Sequence, residues 1–239
     1  MRCHHEDFVF SLIIKTIVII LINSFSKKLL KTVVECSFLM KILATADIHG
    51  DKKLVDKLVK NSKGADVIVI AGDLTWAERD LRNIIGPLKK YGKPIIMIPG
   101  NHETLASVDF LESLYKPGVY NLHARGIKIG DTCFIACGSG NIGLFQLSDE
   151  EVADSLEEAL SEVKGCSKTV LITHVPPYDS LLDNLGWTKA GSIAVRRFIE
   201  KHQPDLCLCG HIHETAGLIE VIGKTKVMNV GFSDKVINI

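Results

Sequence analysis

The order of patterns along this chain predicts an α/β fold built on a parallel sheet. Three observations carry that prediction: short unbroken apolar runs rich in β-branched residues at 41–46, 66–71 and 94–98, helix-period stripes between them, and polar residues at the end of each run. Strands covered on both faces read as continuous hydrophobic runs, and a β-α-β-α-β order requires parallel strands joined by right-handed crossovers.

Composition narrows the class. With 239 residues, 46% hydrophobic and 23% charged, the chain can bury one large core or at most two small ones. A formal net charge of +0 provides no general field for a nucleic acid polymer or an anionic membrane, so no nucleic acid polymer is expected as a partner, and a membrane only where the first 39 residues anchor the chain. Seven cysteines, an odd number without framework spacing, read as reduced thiols of a cytoplasmic core.

The first 39 residues stand apart. Residues 8–22 are apolar around Lys15, but 15 helical residues reach only about 22 Å, short of the roughly 30 Å of a bilayer core. Glu6 and Asp7 in the n-region argue against a signal peptide. A short membrane anchor, which would make the protein membrane-associated, a peripheral extension, and a start placed upstream of Met40 all remain open, so the expected division is 1–39 as an extension and 40–239 as the domain.

From 41 onward each element has a reason. Asp51 is placed to cap a helix whose Leu54, Val55, Leu58 and Val59 form one apolar stripe. Residues 77–91 carry a weaker helical pattern closed by Gly92, and 105–115 a further helix. Glycines and Asp131-Thr132 then break 119–137 into what reads as antiparallel strands and hairpins. Ser148 with Glu151 spells a capping box opening a helix over 149–164. Strands follow at 168–173 and 204–209, with a helix over 192–201 between them and a terminal hairpin around Gly223-Lys224.

The chemistry sits where strands end. Asp47 and His49, Asp73, Asn101 with His102, His174, and His211 with His213 each follow an apolar strand. Carboxyl ends of parallel strands share one edge, so these residues are expected to converge. Asp47 and His49, two apart in an extended segment, point to one side. Carboxylate, imidazole and amide oxygen without thiolate suit Mn²⁺, Fe or Zn²⁺ better than Mg²⁺ alone. Two cations about 3.5–4 Å apart need a shared carboxylate, and Asp73 is placed for that role. Cys207 and Cys209, which precede His211 and His213, read as small core hydrophobes. His123 and His202 read as surface residues, and Lys52, Lys53, Lys57 and Lys60 as a solvated helix face.

In this order, D-x-H (47–49), G-D (72–73), G-N-H-E (100–103), a lone His after a strand (174) and G-H-x-H (210–213) resemble the signature of the calcineurin-like metallophosphoesterases over about residues 40–230. The resemblance implies a four-layer α/β/β/α sandwich with two mixed sheets. It also implies two divalent ions, Mn²⁺ first, with Fe, Zn²⁺ or Ni²⁺ as alternatives. One ion would be held by Asp47, His49, Asp73 and His213, the other by Asp73, Asn101, His174 and His211. A hydroxide bridging them attacks phosphorus, His102 serves the leaving oxygen, and Glu103 is placed to orient His102.

Substrate is less legible. The D-R-G turn of protein phosphatases is replaced by Leu74-Thr75-Trp76, with the first Arg at 79, and some 200 residues leave little room for the DNA-binding additions of the nuclease branch. Loops 139–146 and 176–189 offer Phe145, Tyr178 and Trp187 as stacking surfaces, which points to a phosphodiester or nucleotide-like small substrate. The alternatives are a phosphomonoesterase on a small phosphorylated substrate, or a non-catalytic binding subunit stabilised by metal.

Overall fold

Hydrophobic alternation within the strands divides this molecule into layers. The computed structural model describes residues 39–239; the apolar run at 8–22 lies outside the described residues. Residues Met40–Ile239 make one compact unit. Among the described residues no helix is long and apolar enough to cross a membrane.

One sheet contains β1 (Lys41–Thr45), β2 (Val67–Ala71), β3 (Ile95–Ile98), β4 (Val119–Asn121) and β11 (Val236–Asn238), in the order β11-β1-β2-β3-β4. Its members run parallel except β11, which pairs antiparallel with β1. The second sheet contains β5 (Arg125–Ile129), β6 (Thr132–Cys137), β7 (Lys168–Thr173), β8 (Leu206–Cys209), β9 (Ile219–Ile222) and β10 (Thr225–Asn229), in the order β5-β6-β7-β8-β10-β9. Here β6, β7, β8 and β10 are parallel, with β5 and β9 antiparallel at the edges.

Three buried clusters follow from the period-two alternation of side chains. Ile42 and Ala44 of β1, with Val67, Val69 and Ile96, face Phe134, Val170, Ile172 and Leu208 between the two sheets. Leu43, Ile68, Ile70 and Met97 face outward onto Leu54 and Leu58 of α1 (Lys52–Ser62), Ile84 and Leu88 of α2 (Arg82–Leu88), and Val108 and Leu111 of α3 (Leu105–Tyr115). On the other side, Ile135, Leu171, Cys207 and Cys209 pack under Val152 and Leu156 of α4 (Asp149–Ser161) and Val195 and Phe198 of α5 (Ile193–His202). The result is the four-layer α/β/β/α sandwich with two mixed sheets. Each fully buried Leu or Ile contributes about 1.5–3 kcal/mol relative to exposure, which is why both sheets are closed on both faces.

Local signals explain most boundaries. Asp51 accepts from the N–H groups of Lys53 (2.8 Å) and Leu54 (3.3 Å) at the start of α1, and the box formed by Ser148 and Glu151 opens α4. The lysines of α1 are exposed. Four expectations need correction, and one strand is added. The helix expected over 77–91 begins only at Arg82, because Ala77, Glu78 and Asp80 take left-handed backbone and commit 74–81 to a loop. β4 is not part of an antiparallel hairpin: it extends the first sheet, parallel to β3. β11, a short segment of alternating exposure, is an addition to the expected elements. His123 is no surface residue, since its ring is half-buried, Nδ1 accepts from Gly138 N–H at 3.1 Å, and Phe145 packs against it edge-on at 5.2 Å. Cys133 on β6 is bonded to Cys166 in the loop after α4, with Cα atoms 5.7 Å apart, so this pair is not reduced; Cys137, Cys207 and Cys209 are buried free thiols.

Candidate metal centre

Turns, rather than strand ends, aim the site residues. β1 stops at Thr45, and Asp47 (φ 55) and His49 (φ 48) both adopt left-handed backbone around the buried Ile48. The extended geometry expected for this pair is therefore incorrect. Asp73 (φ 51) and His211 (φ 70) do the same after β2 and β8. Asp and His tolerate this region better than most side chains, but such residues still cost of order 1–3 kcal/mol each and persist where the surroundings hold them. Backbone bonds supply that hold: Asp47 N–H donates to the Gly72 carbonyl (3.1 Å), His49 N–H to the Asp73 carbonyl (3.1 Å) and Gly50 N–H to the Leu74 carbonyl (2.9 Å). Glycine is required where these turns touch. A Cβ on Gly72 would lie 2.5 Å from His174 Nδ1, and one on Gly100 would strike the Asp73 carboxylate.

The seven expected ligands come together in two groups around Asp73. In the first, His49 Nε2 lies 3.1 Å from His213 Nε2 and 3.8 Å from Asp73 Oδ2, while His213 Nε2 is 3.6 Å from Asp47 Oδ1. In the second, the Asn101 side-chain oxygen lies 3.1 Å from His174 Nε2 and 2.9 Å from His211 Nδ1, and Asp73 Oδ2 is 3.4 Å from His174 Nε2. His102, expected as the catalytic imidazole, donates its backbone N–H to Asp73 Oδ1 (3.1 Å) and holds Nε2 3.9 Å from Asp73 Oδ2. Donor atoms of Asp47, His49 and His213, of His49, Asp73 and His102, and of Asp47, Asp73 and His174 each fall within 4.8 Å of one another.

The outer contacts fix which nitrogen faces inward. His174 Nδ1–H donates to the Ala71 carbonyl at 2.8 Å, so Nε2 is the nitrogen turned toward the oxygens of Asn101 and Asp73, where it carries either a proton shared with Asp73 or, once that proton is displaced by a cation, a lone pair. The amide of Asn141 donates to the Ala190 carbonyl at 2.9 Å, so its oxygen faces His211. His211 Nε2–H then donates to that oxygen at 2.9 Å, and Nδ1 presents its lone pair toward Asn101. Acceptor oxygens and inward-facing ring nitrogens thus converge, and a cation that displaces the His174 proton satisfies them together; the donor set fits two divalent ions.

Electrostatics agree. Burial pushes the Asp73 carboxyl up, but the charge and hydrogen bond of His174 and the charge of His102 outweigh it and hold it below the usual carboxylate range. Burial lowers His174, yet the charge and hydrogen bond of Asp73 raise it to about 9. His211 goes the other way, to about 3, through burial and the neighbouring His174 charge. Burial lowers His49, and the hydrogen bond to Asp47 raises His213. The carboxylates attract positive charge, and the crowded imidazoles cannot all accept it as protons.

Several residues around the site carry no mark in the expected ligand set, and one expected contact differs. Glu103 does not orient His102: fully buried, it accepts from the N–H groups of Thr75 (2.9 Å) and Gly100 (3.2 Å), tying the second and third turns together. Burial and the Asp73 charge raise its pKa to about 7. Trp76 and Phe232 pack on the site histidines, and Asn141 reaches His211 from the loop over 139–146. Trp76 follows the G-D block by three positions, a detectable signal; nothing local marks Phe232. Of the expected stacking surfaces, Phe145 faces His123, Tyr178 lies under the Lys189 ammonium, and Trp187 is 86% exposed.

A profile of the calcineurin-like phosphoesterase family matches residues 40–215. An uncharacterized protein of Methanocaldococcus jannaschii is 30% identical over 198 residues, which cover 80% of this chain and 87% of that one. Among solved structures, a protein of Thermus thermophilus superposes with a TM-score of 0.65 at 22% identity, covering 84% of this chain and 98% of its own. A phosphopantetheinyl hydrolase of Mycobacterium tuberculosis gives 0.58 at 15% identity, over 82% and 90%. At those identities the two structures speak for the fold alone.

Proposed function

The chain belongs to the calcineurin-like phosphoesterase family, metal-dependent hydrolases with a dinuclear centre, and on that premise we propose that it hydrolyses a phosphodiester or nucleotide-like small substrate using two Mn²⁺ ions. The observation that carries this reading is the convergence of Asp47, His49 and His213 on one side of Asp73, and of Asn101, His174 and His211 on the other. Bound there, two divalent cations would supply a shared hydroxide as nucleophile and neutralise charge building on the phosphoryl oxygens.

The chain's own residues do the rest. Asp73 spans both positions with a carboxylate that stays ionised. The Ala71 carbonyl and the Asn141 side-chain oxygen hold the imidazoles of His174 and His211 in fixed tautomers. His102, one quarter exposed beside Asp73, is placed to give a proton or hydrogen bond to the departing oxygen. Leu74, Thr75 and Trp76 follow Asp73 in place of the D-R-G turn of protein phosphatases, which speaks against a protein substrate and for a small one.

The test is an assay of the full chain with Mn²⁺ against matched mono- and diesters, beside His102→Ala. Mn²⁺-dependent cleavage favouring diesters, with kcat lowered in His102→Ala while Mn²⁺ uptake persists, is expected. Metal-independent cleavage, or a consistent preference for monoesters, would contradict the reading.

A further inference from the structure

Two aromatic side chains outside the ligand set stand over one half of the site. The Trp76 indole lies on the His49 ring, centroids 3.7 Å apart and planes within 11°, and meets the His102 ring at 4.6 Å and 74°. Phe232 meets His213 at 4.9 Å and 70°. Both remain half bare, at 50% and 46% exposure.

Neither is a loose surface residue. Just after Trp76, Ala77, Glu78 and Asp80 take left-handed backbone, and the Glu78 carboxylate locks that loop by accepting from Thr104 N–H (2.7 Å), Thr104 Oγ1 (2.6 Å) and Ser107 Oγ (2.6 Å). Phe232 is itself left-handed (φ 55), an unfavourable conformation for a bulky side chain, and its N–H is tied to the Ala46 carbonyl at 2.9 Å. Packing on His49 uses one face of the indole. The same ring meets His102, the side chain assigned to the leaving oxygen, edge-on, so a group carried by that oxygen would emerge beside the bare part of the indole.

We propose that Trp76 and Phe232 form a subsite for a planar unsaturated ring of the substrate, a nucleobase or aryl group carried close to the phosphorus, so that ring-bearing esters are preferred over alkyl ones. This rests on the metal-centre reading given above. Stacking on an aromatic side chain is sequence- and substituent-tolerant, because any such ring offers a π face.

The experiment measures binding of phenylphosphonate, ethylphosphonate and an adenosine phosphonate to the Mn²⁺-loaded full chain by calorimetry. Wild-type protein is expected to bind the ring-bearing phosphonates about tenfold more tightly than the ethyl compound. Trp76→Ala should bring that ratio close to one, Trp76→Phe should restore much of it, and Trp187→Ala should leave it as in wild type. A preference for only one of the two ring compounds would identify which source of the ring the subsite takes. Equal affinities in wild type, loss of the ratio in Trp187→Ala instead, or a Trp76→Ala variant that loses Mn²⁺ and all three ligands together would overturn the proposal, the last by making Trp76 a prop for His49. Failure of wild-type protein to take up Mn²⁺ would instead fault the metal centre itself, and the subsite with it.

Discussion

The two halves of the site are built differently. The half formed by Asn101, His174 and His211 is deep, with the His174 side chain at 0% exposure and each imidazole oriented by an oxygen acceptor behind it. The half formed by Asp47, His49 and His213 opens outward at one ligand: the His213 side chain is 38% exposed while those of Asp47 and His49 are at 1% and 6%, and His49 Nδ1 reaches the Thr75 carbonyl only at 3.4 Å. Oriented, desolvated ligands bind a cation with less reorganisation, so the comparison predicts one tight binding event in the deep half and one weaker, exchangeable event in the open half.

Removing a ligand from each half is the largest test. On the proposed function, His174→Ala should cost on the order of 10³ in rate, about 4 kcal/mol of transition-state stabilisation, and abolish the tight event. His213→Ala should cost less and spare the tight event in a metal titration. Equal losses would erase the distinction between the halves.

Glu103 serves both halves, and its loss should appear in stability. Glu103→Ala leaves the N–H groups of Thr75 and Gly100 without their buried acceptor, which should cost about 2–4 kcal/mol in chemical denaturation. A near-neutral result would remove its bracing role. Asn141→Leu should weaken the deep event by about 10–100-fold while sparing the open one, with Asn141→Asp restoring it, as expected when an outer acceptor orients a ligand; calorimetry reads both.

The smallest effect is one of pH. Burial lowers the pKa of His123 below its ordinary 6.5, and a proton on Nδ1 would also displace the Gly138 N–H. The unfolded chain therefore takes up this proton first. The contribution is present above pH 6.5 and is lost as pH falls through the lower folded value. His123→Gln should flatten the fall in thermal midpoint between pH 6.5 and 5, and an unchanged slope would dismiss the group.

Much of this was legible in sequence because it depends on local pattern. Unbroken runs such as Val67–Ala71 announce strands covered on both faces, Ser148 with Glu151 announces a helix start, and the polar residues after each strand announce a shared edge. What escaped depends on backbone torsion and on partners distant in the chain. Nothing in the spelling of Asp47-Ile48-His49 distinguishes an extended segment from two left-handed turns, and it is the turns, not strand alternation, that bring the two side chains into one cluster. Val236–Asn238 is a strand only because β1 has a free edge, and Cys133 meets Cys166 only because β6 and the loop after α4 are brought together by the fold. Phe232 reaches His213 by the same kind of long-range return.

The central claim is that Asp73 is shared by two cation positions of unequal depth. A Mn²⁺ titration of the full chain followed by electron paramagnetic resonance tests it most directly. Wild-type protein should take up two ions per chain in two steps, the second producing an exchange-coupled pair, and Asp73→Asn should never form that pair. A single ion at saturation, or a coupled pair that survives in Asp73→Asn, would contradict the account.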